Sequence, residues 1–239
     1  MEVIIVSSNK GNLLKGRNFK VKLKTAKGRK ISSTRWLERQ LNDPFVIQAK
    51  KDGYRSRSAF KLIQLNQRFD FLKPGNRVLD LGAFPGGWCQ VAAKATNSDG
   101  KIANLPIGFV LGIDLKALNQ IEGVRFECLD FLEIDAESKI KEWTEGSVDV
   151  VLSDMAPSAT GHKKTDHLRI VNLCEQAASL SFDILNCGGT FVSKVLEGGT
   201  DSELQKILKK NFFKVVNSKP SASRADSSEK FVVAKGFRG

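Results

Sequence analysis

At 239 residues the chain is long enough for one large α/β domain with its own core plus an appendage, and too short for two complete domains. Its net charge of +12 is concentrated at one end: residues 1–73 hold 18 Lys+Arg against 5 Asp+Glu, and the remainder carries 20 against 21. The apolar stretch Val3-Ile4-Ile5-Val6 is too short for a signal-peptide core or a membrane span, and Cys89, Cys128, Cys174 and Cys187 form no Cys-x-x-Cys pair, so neither a membrane anchor, a zinc site nor a disulfide framework is expected. These features imply a soluble cytoplasmic protein with buried, reduced thiols.

Lys10 to Lys30 carries nine basic residues and no acid, and is broken by Gly11, Gly16 and Gly28. Residues 1–33 therefore read as a basic arm, and one-signed positive charge beside a folded domain points to a polyanion, most simply nucleic acid. Ser32-Ser33-Thr34 can cap a short helix that runs through Leu41 and ends at Asn42-Asp43-Pro44. A second helix, 56–71, turns Phe60, Ile63 and Leu65 toward a core, carries Arg55, Arg57 and Lys61 at its start, and closes at Lys73-Pro74-Gly75.

From there strands and helices alternate. Strands are expected at 77–82, 109–114, 124–128, 148–153, 189–195, 212–217 and 230–235, with helices at 87–96, 135–143, 165–185 and 201–210 between them. That alternation predicts an α/β, Rossmann-like fold: a mostly parallel seven-stranded sheet with helices on both faces. The last two strands are joined without a helical pattern, which predicts an antiparallel hairpin at one edge. Asn97–Pro106 reads as a surface loop with no assigned role.

The first strand carries the strongest chemical signal. Val78-Leu79-Asp80-Leu81 runs into Gly82-Ala83-Phe84-Pro85-Gly86-Gly87-Trp88, a glycine-rich turn of the kind that lets a backbone approach a nucleotide-like ligand. It lacks the G-x-G-x-x-G order and the Gly-Lys-Ser/Thr of a phosphate loop. With an acid before the first glycine and no basic residue in the turn, it suits a ligand with an adenosine and no phosphates, such as S-adenosylmethionine. About thirty residues on, the apolar run Gly108–Ile113 within Gly108–Leu115 leads into Asp114, near the offset at which such folds place the acid for ribose hydroxyls. The fourth strand ends Ser153-Asp154-Met155-Ala156-Pro157, and the fifth buries Lys194 in the apolar run Phe191–Val195. A lysine seldom lies in such a run unless paired or functional. His162 and His167, the only histidines, read as surface residues.

Four segments in order, Arg55–Leu62, Asp80–Trp88, Ser153–Pro157 and Phe191–Val195, resemble the FtsJ/RrmJ family of ribosomal RNA 2′-O-methyltransferases, and the likeness runs from about Asp52 to the carboxyl terminus. The resemblance implies a catalytic tetrad at Lys61, Asp154, Lys194 and Glu229, and S-adenosylmethionine held by Gly86, Trp88, Asp114, Asp130 and Asp154, without a metal. It further implies methyl transfer to the ribose of a uridine in 23S-type large-subunit rRNA, by a monomer acting on the assembled or assembling large ribosomal subunit. Residues 34–239 would form the methyltransferase domain, with an amino-terminal helical extension that binds RNA. Phe84 stands where the family has a small residue and is expected to narrow the methionine end of the pocket, and 97–106 is longer than in bacterial members. A tRNA or mRNA-cap ribose methyltransferase, or a non-catalytic RNA-binding assembly factor, would share many of these features.

Such a set has a clear chemical use. Aligning a ribose oxygen with an electrophilic methyl supplies roughly 7–11 kcal/mol of a barrier. Lys194 is the candidate base, although an ordinary lysine titrates near about 10.4. Apolar neighbours and Lys61 oppose its charge while Asp154 and Glu229 favour it, so the sequence leaves open whether Lys194 takes the proton or orients the hydroxyl.

Overall fold

The computed structural model describes residues 31–156, 162–196 and 201–239. The chain divides into two compact units between Pro44 and Phe45. In the first lies α1 (Ile31–Leu41), which exposes Ile31 and Trp36. Most of the basic arm lies outside the described residues. Helix α2 (Pro44–Lys51) follows, and the second unit then continues with α3 (Ala59–Phe69), β1 (Arg77–Leu81), α4 (Gly87–Thr96), β2 (Phe109–Asp114), β3 (Arg125–Cys128), α5 (Ala136–Trp143), β4 (Val148–Ser153), α6 (Lys163–Ile184), β5 (Leu185–Leu196), α7 (Asp201–Asn211), β6 (Phe212–Ser218) and β7 (Glu229–Phe237).

Seven strands form one sheet in the order β3-β2-β1-β4-β5-β7-β6. All run parallel except β7, which is antiparallel to both β5 and β6. The expected hairpin is therefore present at the edge, with its second strand turned inward. Composition explains the choice: Phe231-Val232-Val233-Ala234 is fully buried, whereas β6 is half exposed and can tolerate the rim.

The period-two alternation of each strand sorts the core onto two faces. Leu79, Leu111, Val151, Phe191 and Val232 point to one side, against Ile140 of α5, Ala177 and Ile184 of α6, and Leu208 of α7. Val78, Val110, Val150, Leu152, Val192, Phe231 and Val233 point to the other, against Leu62 and Leu65 of α3 and Val91 and Ala92 of α4. This second face carries the site.

Several expectations change. Ser32-Ser33-Thr34 lie inside α1, which already includes Ile31, and do not cap it. Helix α2 was not anticipated. In α3 the buried stripe is Ala59, Leu62 and Leu65 with Lys61, while Phe60 and Ile63 are only half buried; Phe60 instead packs among aromatic rings, 5.5 Å from Phe45 and 5.7 Å from Tyr54. None of the four cysteines is in a disulfide, but Cys128 and Cys187 are exposed, because the first ends the rim strand β3 and the second lies on the solvated start of β5. The 97–106 loop is knitted to its own start. Buried Asn97 donates to the carbonyls of Ile102 and Leu105 and accepts from the Ile102 amide at 2.9 Å. His162 is exposed, and the side chain of His167 lies outside the described residues.

Candidate active site

Strand order reverses between β1 and β4, and in open α/β sheets the crevice beyond the carboxyl ends of strands at such a point is where ligands bind. A cleft of 510 Å³ lies there. Its floor is Gly82, at φ +76°, where any side chain would collide with that of Met155. Its walls are apolar, with Ile113, Leu115, Leu129, Phe131 and Leu132, and three carboxylates open into it: Asp114, Asp130 and Asp154.

Backbone amides fix two of those acids. Asp114 accepts the Phe84 amide on one oxygen and the Lys116 amide on the other, each at 2.9 Å. Asp130 accepts the Leu132 amide at 3.0 Å. Each carboxylate oxygen can accept a second bond, so both retain capacity for a ligand hydroxyl. Beside the turn, the Arg55 guanidinium donates to the carbonyls of Asn119 and Gln120 at 2.7 Å, which ties the loop after β2 down next to Gly86.

A lysine–carboxylate network adjoins the cleft, and strand alternation assembles it. Val150 and Leu152 face α3 and α4, and Asp154 continues that alternation past the end of β4; Val192 and Lys194 share the face on β5. Because β7 runs backwards, its first residue lies at the carboxyl edge of its neighbours, with Glu229 opposite Leu196 and Phe231 opposite Lys194. Lys61 comes down from α3. Its ammonium is 2.8 Å from Glu229 Oε2, 3.8 Å from Asp154 Oδ2 and 5.5 Å from the centre of the Phe231 ring. Lys194 Nζ lies 2.7 Å from Asp154 Oδ1 and donates a directed hydrogen bond to the Asp154 main-chain carbonyl at 2.7 Å. Both lysines are buried, and buried cations persist only with such partners.

Asp154 belongs to both cleft and network. Burial alone would raise its carboxyl, but Lys194, then Lys61, and hydrogen bonds from Lys194 and Ser58 outweigh that and hold it below the usual carboxylate range. Asp80, on β1 and pointing to the same face, goes the other way. Burial pushes it up to about 7, the charges of Asp154 and Asp114 add to the rise, and the Cys89 thiol, donating at 3.1 Å, offsets only part of it. Burial and the neighbouring Asp80 in turn drive the Cys89 thiol up.

The structure thus brings Lys61, Asp154, Lys194 and Glu229 into one cluster, and Asp114, Asp130 and Asp154 into one cleft. Gly86, at φ +106°, caps α4 just outside the cleft lining. Trp88 is turned away, its ring buried 5.6 Å from Phe231 and its indole N–H donated to the Ser58 carbonyl at 2.9 Å. Phe84 lines the cleft with its ring half exposed and Lys116 Nζ 5.3 Å above it. Sequence reasoning missed Ser58 and Ser223, which donate to Asp154 and Glu229 respectively. Ser58 carried a signal in lying one helical turn before Lys61; Ser223 had none. Among the described residues no helix is long and apolar enough to cross a membrane.

Comparison with known proteins agrees with this architecture. A family model described as FtsJ-like methyltransferase matches residues 54–237. The chain is 62% identical over 223 residues to a ribosomal RNA large subunit methyltransferase E of Cereibacter sphaeroides, covering 93% of this chain and 91% of that one. It is 60% identical, over 93% of this chain and 94% of the other, to the protein of the same name from Jannaschia sp.. Among solved structures, a Plasmodium falciparum chain described as a ribosomal RNA methyltransferase superposes with a TM-score of 0.68 at 32% identity, covering 78% of this chain and 100% of that one. With the match spanning all seven strands and the four clustered lysines and acids, the chain belongs to the FtsJ-like methyltransferase family.

Proposed function

We propose that the protein transfers a methyl group from S-adenosylmethionine to the 2′-hydroxyl of a uridine ribose in large-subunit ribosomal RNA, in the cytoplasm. The observation that carries the reading is the junction at Asp154 of a nucleoside-sized cleft with a buried pair of lysines. The names of the relatives support the RNA target.

The cleft fits that cofactor. Gly82 lets the backbone at the floor pack directly against Met155, Asp114 retains acceptors that would take ribose hydroxyls, Asp130 would accept from an adenine amine, and the apolar walls suit a flat base. Gly86 and the Trp88 main chain would serve the other end through backbone groups, since the Trp88 ring is buried elsewhere. When bound, the cofactor supplies a methyl already made electrophilic by its sulfonium.

The chain's own residues then do two things. Lys194 Nζ, with one N–H set by the Asp154 main-chain carbonyl and its charge paired with Asp154 Oδ1, keeps donor capacity for the ribose oxygen and would orient it. Asp154 is held ionised by the ammonium of Lys194 and by Lys61, so Lys194 acts on the hydroxyl as a charged donor that steadies the negative charge the oxygen gains while its proton leaves to solvent. Lys61 adds positive charge where the oxygen becomes anionic, and Glu229 holds Lys61 in place.

The test is methyl transfer by purified protein from labelled S-adenosylmethionine to large ribosomal subunits, free rRNA and tRNA, followed by nuclease digestion and mass spectrometry. Label on a uridine ribose of large-subunit rRNA is the expected result. Label on a base would overturn the reaction type, and label on tRNA alone the substrate.

A further inference from the structure

Each carboxylate of the network is gripped twice, once by a lysine and once by a serine hydroxyl. Glu229 accepts from Lys61 on Oε2 and from Ser223 Oγ on Oε1, both at 2.8 Å. Asp154 faces Lys194 through Oδ1 and accepts the Ser58 hydroxyl on Oδ2. That second oxygen is the one nearest the other lysine, and Lys61 stops 3.8 Å from it.

Ser58 stands at the N-cap position of α3, where a serine ordinarily accepts a backbone N–H. It makes no such cap bond, and its hydroxyl goes to Asp154 instead. Its carbonyl takes the Trp88 indole, so the serine's backbone is fixed independently of its side chain. Ser223 is fixed as well: it is buried, and the amide of the adjacent Ala222 is held by Gln64 of α3.

The geometry points to Ser58 and Ser223 as positioning residues that decide which lysine each carboxylate holds, keeping Lys61 on Glu229 and reserving Asp154 for Lys194. Without the Ser58 hydroxyl, Asp154 Oδ2 becomes a desolvated acceptor with no donor, which costs free energy. Lys61, on a flexible stem, is the donor in reach. Once it closes the gap it leaves Glu229 and puts two ammonium groups on Asp154, and Lys194 must share with a second cation the carboxylate that aims it. Ser223 guards the other side by fixing the Glu229 oxygen that Lys61 does not use, which holds Oε2 toward Lys61.

This inference rests on the ribose methyl transfer proposed above, and its test separates the two. Single-turnover transfer, affinity for S-adenosylmethionine and RNA binding are compared in wild type, Ser58→Ala and Ser58→Thr. The alanine variant should lose about tenfold in the chemical step, since a hydrogen bond to a charged group is removed there. Both affinities should stay within about twofold, and threonine, which keeps the hydroxyl, should restore the rate. In protein labelled with ¹³Cε-lysine, the Lys61 and Lys194 resonances should move in Ser58→Ala and return in Ser58→Thr, while Ser223→Ala should move Lys61. An alanine variant with wild-type rate and unmoved lysine resonances overturns the inference. So does a rate loss matched by lost cofactor affinity, which would mark a general disturbance of the cleft. If wild type itself methylates no RNA, the proposed function falls and the lysine resonances alone decide this point.

Discussion

Asp80, in the carboxyl half of β1, and Asp154, just past the end of the neighbouring β4, continue the same face and behave oppositely, because Asp154 has lysines beside it and Asp80 a thiol. Asp154 contributes stability above the ordinary carboxylate range that is lost only as pH falls through its lowered value. For Asp80, raised to about 7, the native state holds a proton that the unfolded chain releases near 3.8, so its contribution is present at low pH and disappears as pH rises from about 4 to 7. The loss should run at about 1.4 kcal/mol per pH unit within that window. Chemical unfolding at pH 5 and pH 7 should therefore show wild type losing about 2–3 kcal/mol relative to Asp80→Asn, which cannot ionise. Parallel slopes for the two proteins would contradict the assignment. Lys194→Ala tests the network at the same scale: transfer should be abolished while calorimetry finds cofactor affinity nearly intact, because Lys194 is absent from the cleft lining. Lys61, Asp154 and Lys194 were legible in the sequence because each stands in a recognisable segment, and Glu229 only through the family resemblance those segments carry. Ser58 and Ser223 were not, since a serine's role depends on where its one hydroxyl turns, and that is set by partners at 96 positions' remove for Ser58.

At the scale of elements, the strands were legible because their apolar runs are long and bounded by glycines and polar turns. Helix α2 was not: Asn42-Asp43-Pro44 reads as a stop, yet the same proline is the first residue of the next helix, where its missing N–H costs nothing and its fixed φ is already helical. The long connection from β6 to β7 was equally silent, and it proves to be fastened to α3. Ala222 offers its amide to Gln64 Oε1 at 2.9 Å and its carbonyl to the Arg57 guanidinium at 2.6 Å. That double clamp sets Ser223, and through it Glu229, against the helix that carries Lys61. Gln64→Ala should leave the buried Ala222 amide without its acceptor, at a local cost of about 1–3 kcal/mol. Hydrogen exchange read by mass spectrometry should quicken in peptides covering 219–228 and stay unchanged in β1 and β4. Exchange at the wild-type rate in that connection would show that Gln64 does not hold it.

Across the whole molecule, sequence and structure divide labour between a near-neutral catalytic unit and a basic beginning. The residues after Lys73 sum to −1, so the sheet, the cleft and most of the lysine–acid network contribute almost nothing to long-range attraction for a polyanion. The excess lies earlier, nine basic residues of it within Lys10–Lys30. A protein that recognises a structured RNA mainly through phosphates and shape gains affinity from such charge without gaining sequence preference. Deleting residues 1–30 spares α1 and every residue of the cleft and network, so cofactor affinity should be preserved. RNA affinity should fall, and the fall should be largest at low salt. For every phosphate that the arm no longer neutralises, the log–log slope of affinity against salt should shrink by about 0.7–0.9. Titrations of rRNA at several salt concentrations supply that slope directly, and a truncated protein with the full-length slope would show that the arm's charges do not meet the RNA backbone.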